Sequence, residues 1–566
     1  MKNVVFFLTI LSITYGFDAN AQSWQWGRSP AGGSFEVAYS SKADQSGNIY
    51  IAGAFTNATL TLDTTVLHNA GGSYTYDLFL AKYDSAGNVL WAKRAGSIKN
   101  DWAFAVTTDA DNNVIIAGDF SSPTISFDTI TLTNADTSGT TTNVFVAKYD
   151  SSGNVLWAKN TGGHNTGEAF AVTTNAGGEI FVTGWFSGTT IAFDTTTLTN
   201  AGGNDVFIAK FDAVGHAIWA KRGGGSLNDY GSSVAVDVDG NIYIAGQYTS
   251  DTAYFGSTSV INTAVGNQNE FLVKYDTSGN ALWARTAMGS VGSAGTFRNS
   301  VAANKSRGIY ISNSFTGRSI IFGTDTLYNA DTSGVTSDIY IVLYDNLGNL
   351  QWAKRAGGSG SDVSNCLVTD QEGNFYLAGA YGSPTIDFGV TTLVNPGSSL
   401  QTFLVQYDAT GAAQWAATAG TTLASEPYGL TVSPSGSTYI TGYYRGSGMT
   451  FSPFSVSNTG IDNIFFAKSM NAPSLTKQLV SSRSNLIVWP NPSTDQLNFC
   501  SVWLGNISGV EITDILGRQV FYQNINASGK STQIYFIALP CLPDGIYYLR
   551  AFGKDGSESV PFVVKR

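Results

Sequence analysis

A chain of 566 residues is too long for one ordinary core, so it holds several domains or one large repeat domain with an appendage. Charged residues make up 13% and hydrophobic residues 43%, with 63 glycines, which excludes a disordered chain and argues for a turn-rich all-β protein over a helical one. The net charge of -11, without any cluster of Lys or Arg, leaves no electrostatic footprint for nucleic acid or an anionic membrane.

The N-terminus reads as a signal peptide over residues 1–21. Lys2 precedes an apolar stretch from Val4 to Ile13, and Ala19-Asn20-Ala21 supplies the small-x-small cleavage pattern. That stretch is too short to cross a bilayer, and no later segment supplies a transmembrane span.

From residue 22 a repeat dominates. A Trp near the end of a short apolar strand recurs at Trp26, Trp91, Trp157, Trp219, Trp283, Trp352 and Trp415, about 65 residues apart on average. Residues 95–160 show the unit. A strand over Ala103–Thr108 and a turn lead to a second strand, Val114–Phe120, followed by a long decorated connection. Then come Val144-Phe-Val-Ala-Lys-Tyr149, the turn Asp150-Ser-Ser-Gly153-Asn154, and Val155-Leu-Trp157-Ala-Lys159. Gly and Asn tolerate the positive φ of tight hairpins, so each period predicts four antiparallel strands, one propeller blade. The strands are apolar on both faces, as in Asp77–Tyr83, which fits a sheet packed between two others.

The ends of the repeat predict closure. The chain begins with an isolated fourth strand at Trp26, and the last unit, Tyr428–Lys468, lacks its own Trp strand. Pairing the Trp26 strand with residues 464–468 completes seven blades; an open solenoid would need polar caps instead. Lys in Trp-Ala-Lys at 91–93, 157–159, 219–221 and 352–354 guards the outer edge against edge-to-edge association. The predicted propeller spans residues 22–468, and through Asp-x-x-Gly-Asn-x-Tyr-x-Ala-Gly and Ala-Lys-Tyr-Asp-x-x-Gly-Asn-x-x-Trp about residues 24–468 resemble the bacterial seven-bladed β-propeller repeat (SBBP) family. That resemblance implies a surface or secreted protein and is nearly silent on the ligand.

Residues 469–485 read as a linker. From 486 to 566 the pattern changes to Trp489-Pro-Asn-Pro492, Asp514-Ile-Leu-Gly517-Arg518-Gln-Val520, Gly545-Ile-Tyr547 and a basic terminus, which suits an Ig-like sandwich. These four ordered motifs look like the C-terminal sorting domain of type IX secretion cargo. The resemblance implies the secretion machinery as a partner, and a secreted or outer-surface location, often with removal of the domain and lipid attachment. An ordinary adhesive Ig-like domain is the alternative. Cys500 and Cys541 share this module, where a bridge and two free thiols both stay open; Cys366 reads as a small core residue.

The candidate site residues stand just before the innermost strand of successive blades: Glu36, Asp101, Glu168, Asp229, Asp362 and Glu426, with the fifth blade departing to Phe297-Arg298. On the long-loop face, where propellers usually bind, they would either cap backbone N–H groups, the stronger reading, or ring the channel mouth and hold a polar ligand or Ca2+ through oxygen ligands. The recurring Asn69, Asn134, Asn200, Asn262, Asn329, Asn395 and Asn458 read as turn-closing side chains. His68 and His216 read as surface substitutions. His164 beside Glu168 is the one candidate acid/base pair, and no Ser-His-Asp order, phosphate loop or metal-ligand spacing is present, so no catalytic residue and no cofactor beyond that calcium is assigned. The expected function is a non-enzymatic binding scaffold for a glycan or protein ligand; the alternative is a polysaccharide-acting hydrolase or lyase on the same face.

Overall fold

The computed structural model describes residues 24–72, 74–136, 138–162, 166–263, 267–289, 300–389, 391–457, 460–469, 486–489, 493, 496–501, 507–514, 518–525, 535–539, 542–543, 545–553 and 556–564. The leader, His164, Phe297, Arg298, Asn458, all but the first residue of the linker, Cys541 and the side chain of Cys500 lie outside them. Every regular element among the described residues is a β-strand. The chain divides into two compact units, Met1–Asn471 and Ala472–Arg566.

The first unit holds seven antiparallel groups of four strands, here sheets 1 to 7, over 36–95, 101–160, 167–224, 229–286, 300–356, 362–421 and 424–469. Within sheets 1 to 6 the four strands lie side by side in chain order. Sheet 7 takes its fourth strand from the start of the chain. Trp24–Arg28 pairs antiparallel with Asp462–Ser469, Trp26 opposite Lys468 and Arg28 opposite Phe466.

The second and third strands are buried along their whole length, as in Ile49–Phe55 and Asp77–Tyr83. Apolar clusters explain this, because each joins two successive sheets. One combines Tyr50 and Leu80 of sheet 1 with Ile116 and Phe145 of sheet 2, and another combines Phe55 and Phe79 of sheet 1 with Tyr439 and Phe466 of sheet 7. A buried Ile or Phe side chain contributes about 1.5–3 kcal/mol, so one such face outweighs any single polar contact of the unit. The fourth strands are less buried, as in Val89–Ala95, except that of sheet 6, Ala413–Thr421, which is mostly buried.

The Asp-x-x-Gly-Asn turns form as side-chain-closed loops. Asp276 accepts the N–H groups of Ser278 and Asn280 on one oxygen and the Asn280 amide on the other, while Gly279 takes φ +79. The Asn280 side chain, with those N–H donors, holds the Asp276 carboxyl below its ordinary value. These turns also receive the preceding sheet. Lys82 Nζ and Trp91 Nε1 of sheet 1 both donate to Ser151 O in the sheet 2 turn, at 2.8 and 3.2 Å. The same two-donor latch joins Lys148 and Trp157 to Ala213 O, Lys210 and Trp219 to Thr277 O, and Lys274 and Trp283 to Asn346 O. Lys468 of sheet 7 likewise donates to Ser85 O of sheet 1. The motif Ala-Lys-Tyr-Asp-x-x-Gly-Asn-x-x-Trp thus encodes both sides of one inter-sheet joint. Sheets 5 and 6 depart from it, with Leu343 and Gln406 in place of the Lys; in sheet 5 Lys354 Nζ donates to Thr410 O instead, and in sheet 6 the buried Trp415 Nε1 has no partner among the described residues.

The decorated connections each fold as a small hairpin, such as Thr124–Phe127 with Ile130–Thr133, turning at Asp128 with φ +49. Asn69, Asn134, Asn200, Asn329 and Asn395 each donate from their amide to the carbonyl that ends the second strand and to one loop carbonyl, the turn-closing role read from their recurrence.

The second unit contains a three-stranded sheet (Leu486–Trp489, Gln496–Ser501, Tyr535–Ala538) and a four-stranded sheet (Gln519–Asn524, Ile507–Asp514, Gly545–Gly553, Gly556–Val564). Leu497, Phe499, Val510, Ile512, Leu549 and Phe562 from the two sheets share one core. Asp514 receives both the backbone N–H and the Nε of Arg518, which closes the Asp-x-x-Gly-Arg turn.

Candidate binding site

The first strands of the seven sheets touch in sequence, each meeting the next, and that of sheet 7 meets that of sheet 1. Together they line a cavity of about 830 Å3. Six of them share an irregularity one turn of the pleat from the start: between Ala38 and Ser40, Ala103 and Ala105, Ala169 and Ala171, Gly231 and Ser233, Ser364 and Cys366, and Pro427 and Gly429. The register steps over the residue in between, a β-bulge that re-aims its side chain.

This bulge accounts for the glycine of the second strand. A Cβ on Gly53, Gly118, Gly184, Gly246, Gly379 or Gly442 would meet the first-strand carbonyl at 1.9–2.1 Å. Sheet 5 carries Asn313 at the corresponding place, and its first strand is described only over Ser300–Ala303.

The bulged residues are Tyr39, Phe104, Phe170, Ser232, Asn365 and Tyr428, and all six line the cavity. Four aromatics thus fall on sheets 7, 1, 2 and 3, in that order around the wall, opposite a hydroxyl and an amide. Their rings make a continuous chain. Tyr428 and Tyr39 lie nearly parallel at 6.0 Å, Tyr39 and Phe104 meet at 5.0 Å and 61°, and Phe104 and Phe170 meet at 5.5 Å and 76°. Tyr443 continues the chain from Tyr428 at 5.4 Å. All four bulged rings are half-buried.

The acids divide into two sets. Glu36, Asp101, Asp229 and Asp362 are fully buried first residues of their strands. Asp229 accepts N–H from Gly225 and Thr249 and both N–H and O–H from Ser250; Asp362 accepts from Gly358 and from Ser383 N–H and O–H; Asp101 accepts from Ser97 and from Ser122 N–H and O–H. Glu36 accepts from Gly33 N–H and from the Asn57 amide. These four cap loops. Burial pushes Asp101 up to about 7 and Asp229 and Asp362 up to about 6, against those hydrogen bonds.

Glu168 and Glu426 do not share that position, contrary to the reading of one recurring acid. Gly167 and Ser425 stand there, opposite Phe186 and Tyr444, and the glutamates come one residue later, on the other face of the strand. Glu168 lines the cavity and accepts from Trp185 Nε1 at 3.3 Å; burial raises its pKa. Glu426 accepts the hydroxyls of Tyr443 at 3.0 Å and Tyr428 at 3.4 Å. Arg445, bonded to Asp462, also lines the cavity. So does Lys42, open to its solvent yet enclosed by protein, and that enclosure lowers the pKa of its ammonium.

Asp119, on the second strand of sheet 2, is fully buried, and neither carboxyl oxygen has a partner among the described residues. Burial, then the charge of Glu168, holds it well above the ordinary carboxyl range. His216 stands where other turns carry Asn and bonds Asp212 at the surface. Among the described residues no group of three His, Cys, Asp or Glu side chains is placed to hold a metal ion, and no helix is long and apolar enough to cross a membrane.

Sequence comparison adds family matches at two places. Residues 487–565 match a family described as the secretion system C-terminal sorting domain, and residues 218–247 match the β-propeller repeat (SBBP). An uncharacterized WD repeat-containing protein of Acanthamoeba polyphaga mimivirus is 26% identical over 453 residues, 66% of this chain and 32% of that protein. A regulatory protein FlaEY of Caulobacter vibrioides is 28% identical over 193 residues, 33% of this chain and 20% of that protein. The chain thus spans a third or less of the length of these curated relatives. Among solved structures, Sqt1 from Chaetomium thermophilum is similar at 9% identity and a TM-score of 0.34 over 80% of this chain and 99% of that one. PorZ, a surface component of the type IX secretion system of Porphyromonas gingivalis, is similar at 11% identity and a TM-score of 0.24 over 95% and 100%. Residues 487–565 thus give the chain a type IX C-terminal sorting domain behind an all-β body that contains a β-propeller repeat, the mark of a protein exported to the cell surface or extracellular space.

Proposed function

We propose that the seven sheets are the blades of a closed seven-bladed β-propeller, that the tail is an Ig-like β-sandwich read by the type IX machinery, and that the propeller is a non-catalytic binding scaffold whose ligand enters between the first strands. The pairing of Trp26 with Lys468 and the contact between the first strands of sheets 7 and 1 support closure. One observation carries the binding reading. Positions that hold the sheets together repeat around the unit, whereas the bulged wall position changes from four aromatics to Ser232 and Asn365. Architecture asks for repetition, and a ligand asks for asymmetry. The four capping acids are engaged by loop amides, so the reading needs no metal at their position.

The test is retention of extracellular polymers and peptides by the immobilised full chain. Binding lost in Phe104→Ala supports the scaffold. Turnover of a bound polymer, lost in Glu168→Gln, would replace it with a hydrolase. That second reading draws on Glu168, a carboxyl of raised pKa in the cavity wall whose charge acts on Asp119, itself without a hydrogen-bond partner among the described residues.

A further inference from the structure

The aromatic chain specifies the ligand's chemistry more narrowly. Resting on the binding reading above, we infer that the cavity takes a neutral saccharide, with pyranose rings stacked on Tyr39, Phe104 and Phe170 and hydroxyls bonded to the charged groups beside them.

Many large aromatic side chains of this unit are buried to completion, as at Tyr50, Tyr243 and Tyr310. The four bulged rings are instead half-buried and consecutive, so ring surface faces the cavity as a strip. Such a strip favours a flat apolar surface against it. A purely apolar ligand would not suit the same space, because it would strip water from Arg445, Lys42 and Glu168 without replacing their hydrogen bonds.

A cationic ligand would favour the rings too, through cation–π attraction, but the charges oppose it. Lys42 and Arg445 are in the same wall, Asp462 there is already bonded to Arg445, Glu426 is already bonded to two tyrosine hydroxyls, and burial shifts Glu168 toward its neutral form. A saccharide meets both demands. Its axial C–H face is apolar and stacks, and its hydroxyls exchange hydrogen bonds with the Glu168 carboxyl and accept from Lys and Arg at the ring's edge. A cavity of about 830 Å3 falls within the usual range for small-ligand sites, roughly 300–1,000 Å3, and admits the end of an oligosaccharide.

The test uses the full chain on an array of neutral oligosaccharides, followed by calorimetric titration with whichever sugar is retained. Tetramethylammonium and an unglycosylated peptide mixture serve as competing probes. The expected result is a retained neutral sugar whose Kd weakens about tenfold or more in Tyr39→Ala and Phe104→Ala. Tyr39→Leu keeps apolar volume without the ring face and should lose nearly as much, which separates lost stacking from a damaged fold. Tyr328→Ala, removing a ring 70% exposed on an outer hairpin, should change nothing. Retention of no neutral sugar, or of one indifferent to these substitutions, overturns the assignment. If tetramethylammonium or a peptide is bound instead and Phe104→Ala abolishes it, the saccharide assignment fails while the scaffold reading stands. If nothing binds at the rings at all, both fail.

Discussion

The indole of Trp26, on the first described strand of the chain, packs so closely on Gly87 in the sheet 1 turn that a Cβ there would meet the ring at 3.0 Å. The same approach recurs between Trp91 and Gly153, Trp157 and Gly215, Trp219 and Gly279, Trp283 and Gly348, and Trp352 and Gly411. Trp26 therefore does for sheet 7 what the fourth-strand Trp does for the others. Trp26→Ala should destabilise the unit by roughly 2–4 kcal/mol, the low end for a large aromatic because the ring is only half-buried. Denaturant unfolding of the full chain measures it.

The turn glycines separate backbone strain from the latch. Gly47 takes φ +82 with nothing within 4 Å of its missing Cβ, whereas Gly153 takes φ +87 with the Trp91 ring at 3.1 Å. Gly47→Ala should cost about 1 kcal/mol, the penalty of positive φ alone, and Gly153→Ala about 2 kcal/mol. Gly118→Ala should cost more than either, about 3 kcal/mol or above, because the obstacle is the Trp102 carbonyl of a paired strand. Equal losses in the three variants would remove the latch and bulge from the explanation.

Lys148 and Asp109 form a buried ion pair at 2.8 Å, with side-chain exposures of 6% and 4%. Lys148→Met should cost about 3 kcal/mol, since Asp109 keeps a buried charge and Ala213 O loses a donor. Adding Asp109→Asn should recover part of that loss, which a double-mutant cycle reads directly.

The capping acids set a pH dependence. Asp101, Asp229 and Asp362 are held at about 7, 6 and 6, above an ordinary value of 3.8. A raised folded pKa contributes stability that is fully present below the unfolded value and lost as pH rises through the folded one. Their contribution should decline between about pH 4 and 7. Asp276 and Asp84, whose values are lowered, act the other way and lose their contribution as pH falls below about 4. Melting temperature should therefore peak between those windows and fall toward neutrality, less steeply in Asp101→Asn. A rising slope from pH 4 to 7 would contradict this.

Much of this architecture was legible in the residues themselves, because the latch is written into one motif. Gly and Trp recur at fixed spacing with Lys in five of the seven sheets, and the Lys of those sheets touches the neighbouring turn at the same point. The site was less legible. Glu168 and Glu426 read as equivalents of Asp101 because spacing cannot reveal a one-residue offset, yet in a strand one residue changes the face. The aromatic wall escaped for a related reason. Tyr39, Phe104, Ser232 and Asn365 each follow the capping acid by three residues, and such residues read as ordinary strand positions until a bulge turns them toward the cavity. Asp119 carries no sequence signal, since its burial depends on the sheet beside it. Arg298 and His164 lie outside the described residues, so the departure of the fifth sheet and the His164–Glu168 pair stand as the sequence left them.

Hydrogen exchange on the full chain tests the closed ring most directly. The amides of Trp26–Arg28 should exchange as slowly as those of Ile464–Phe466, because the two strands share one ladder and open only with the unit. Exchange at the rate of a frayed terminus, with residues 464–466 still protected, would contradict closure and with it the enclosed wall on which the binding site depends.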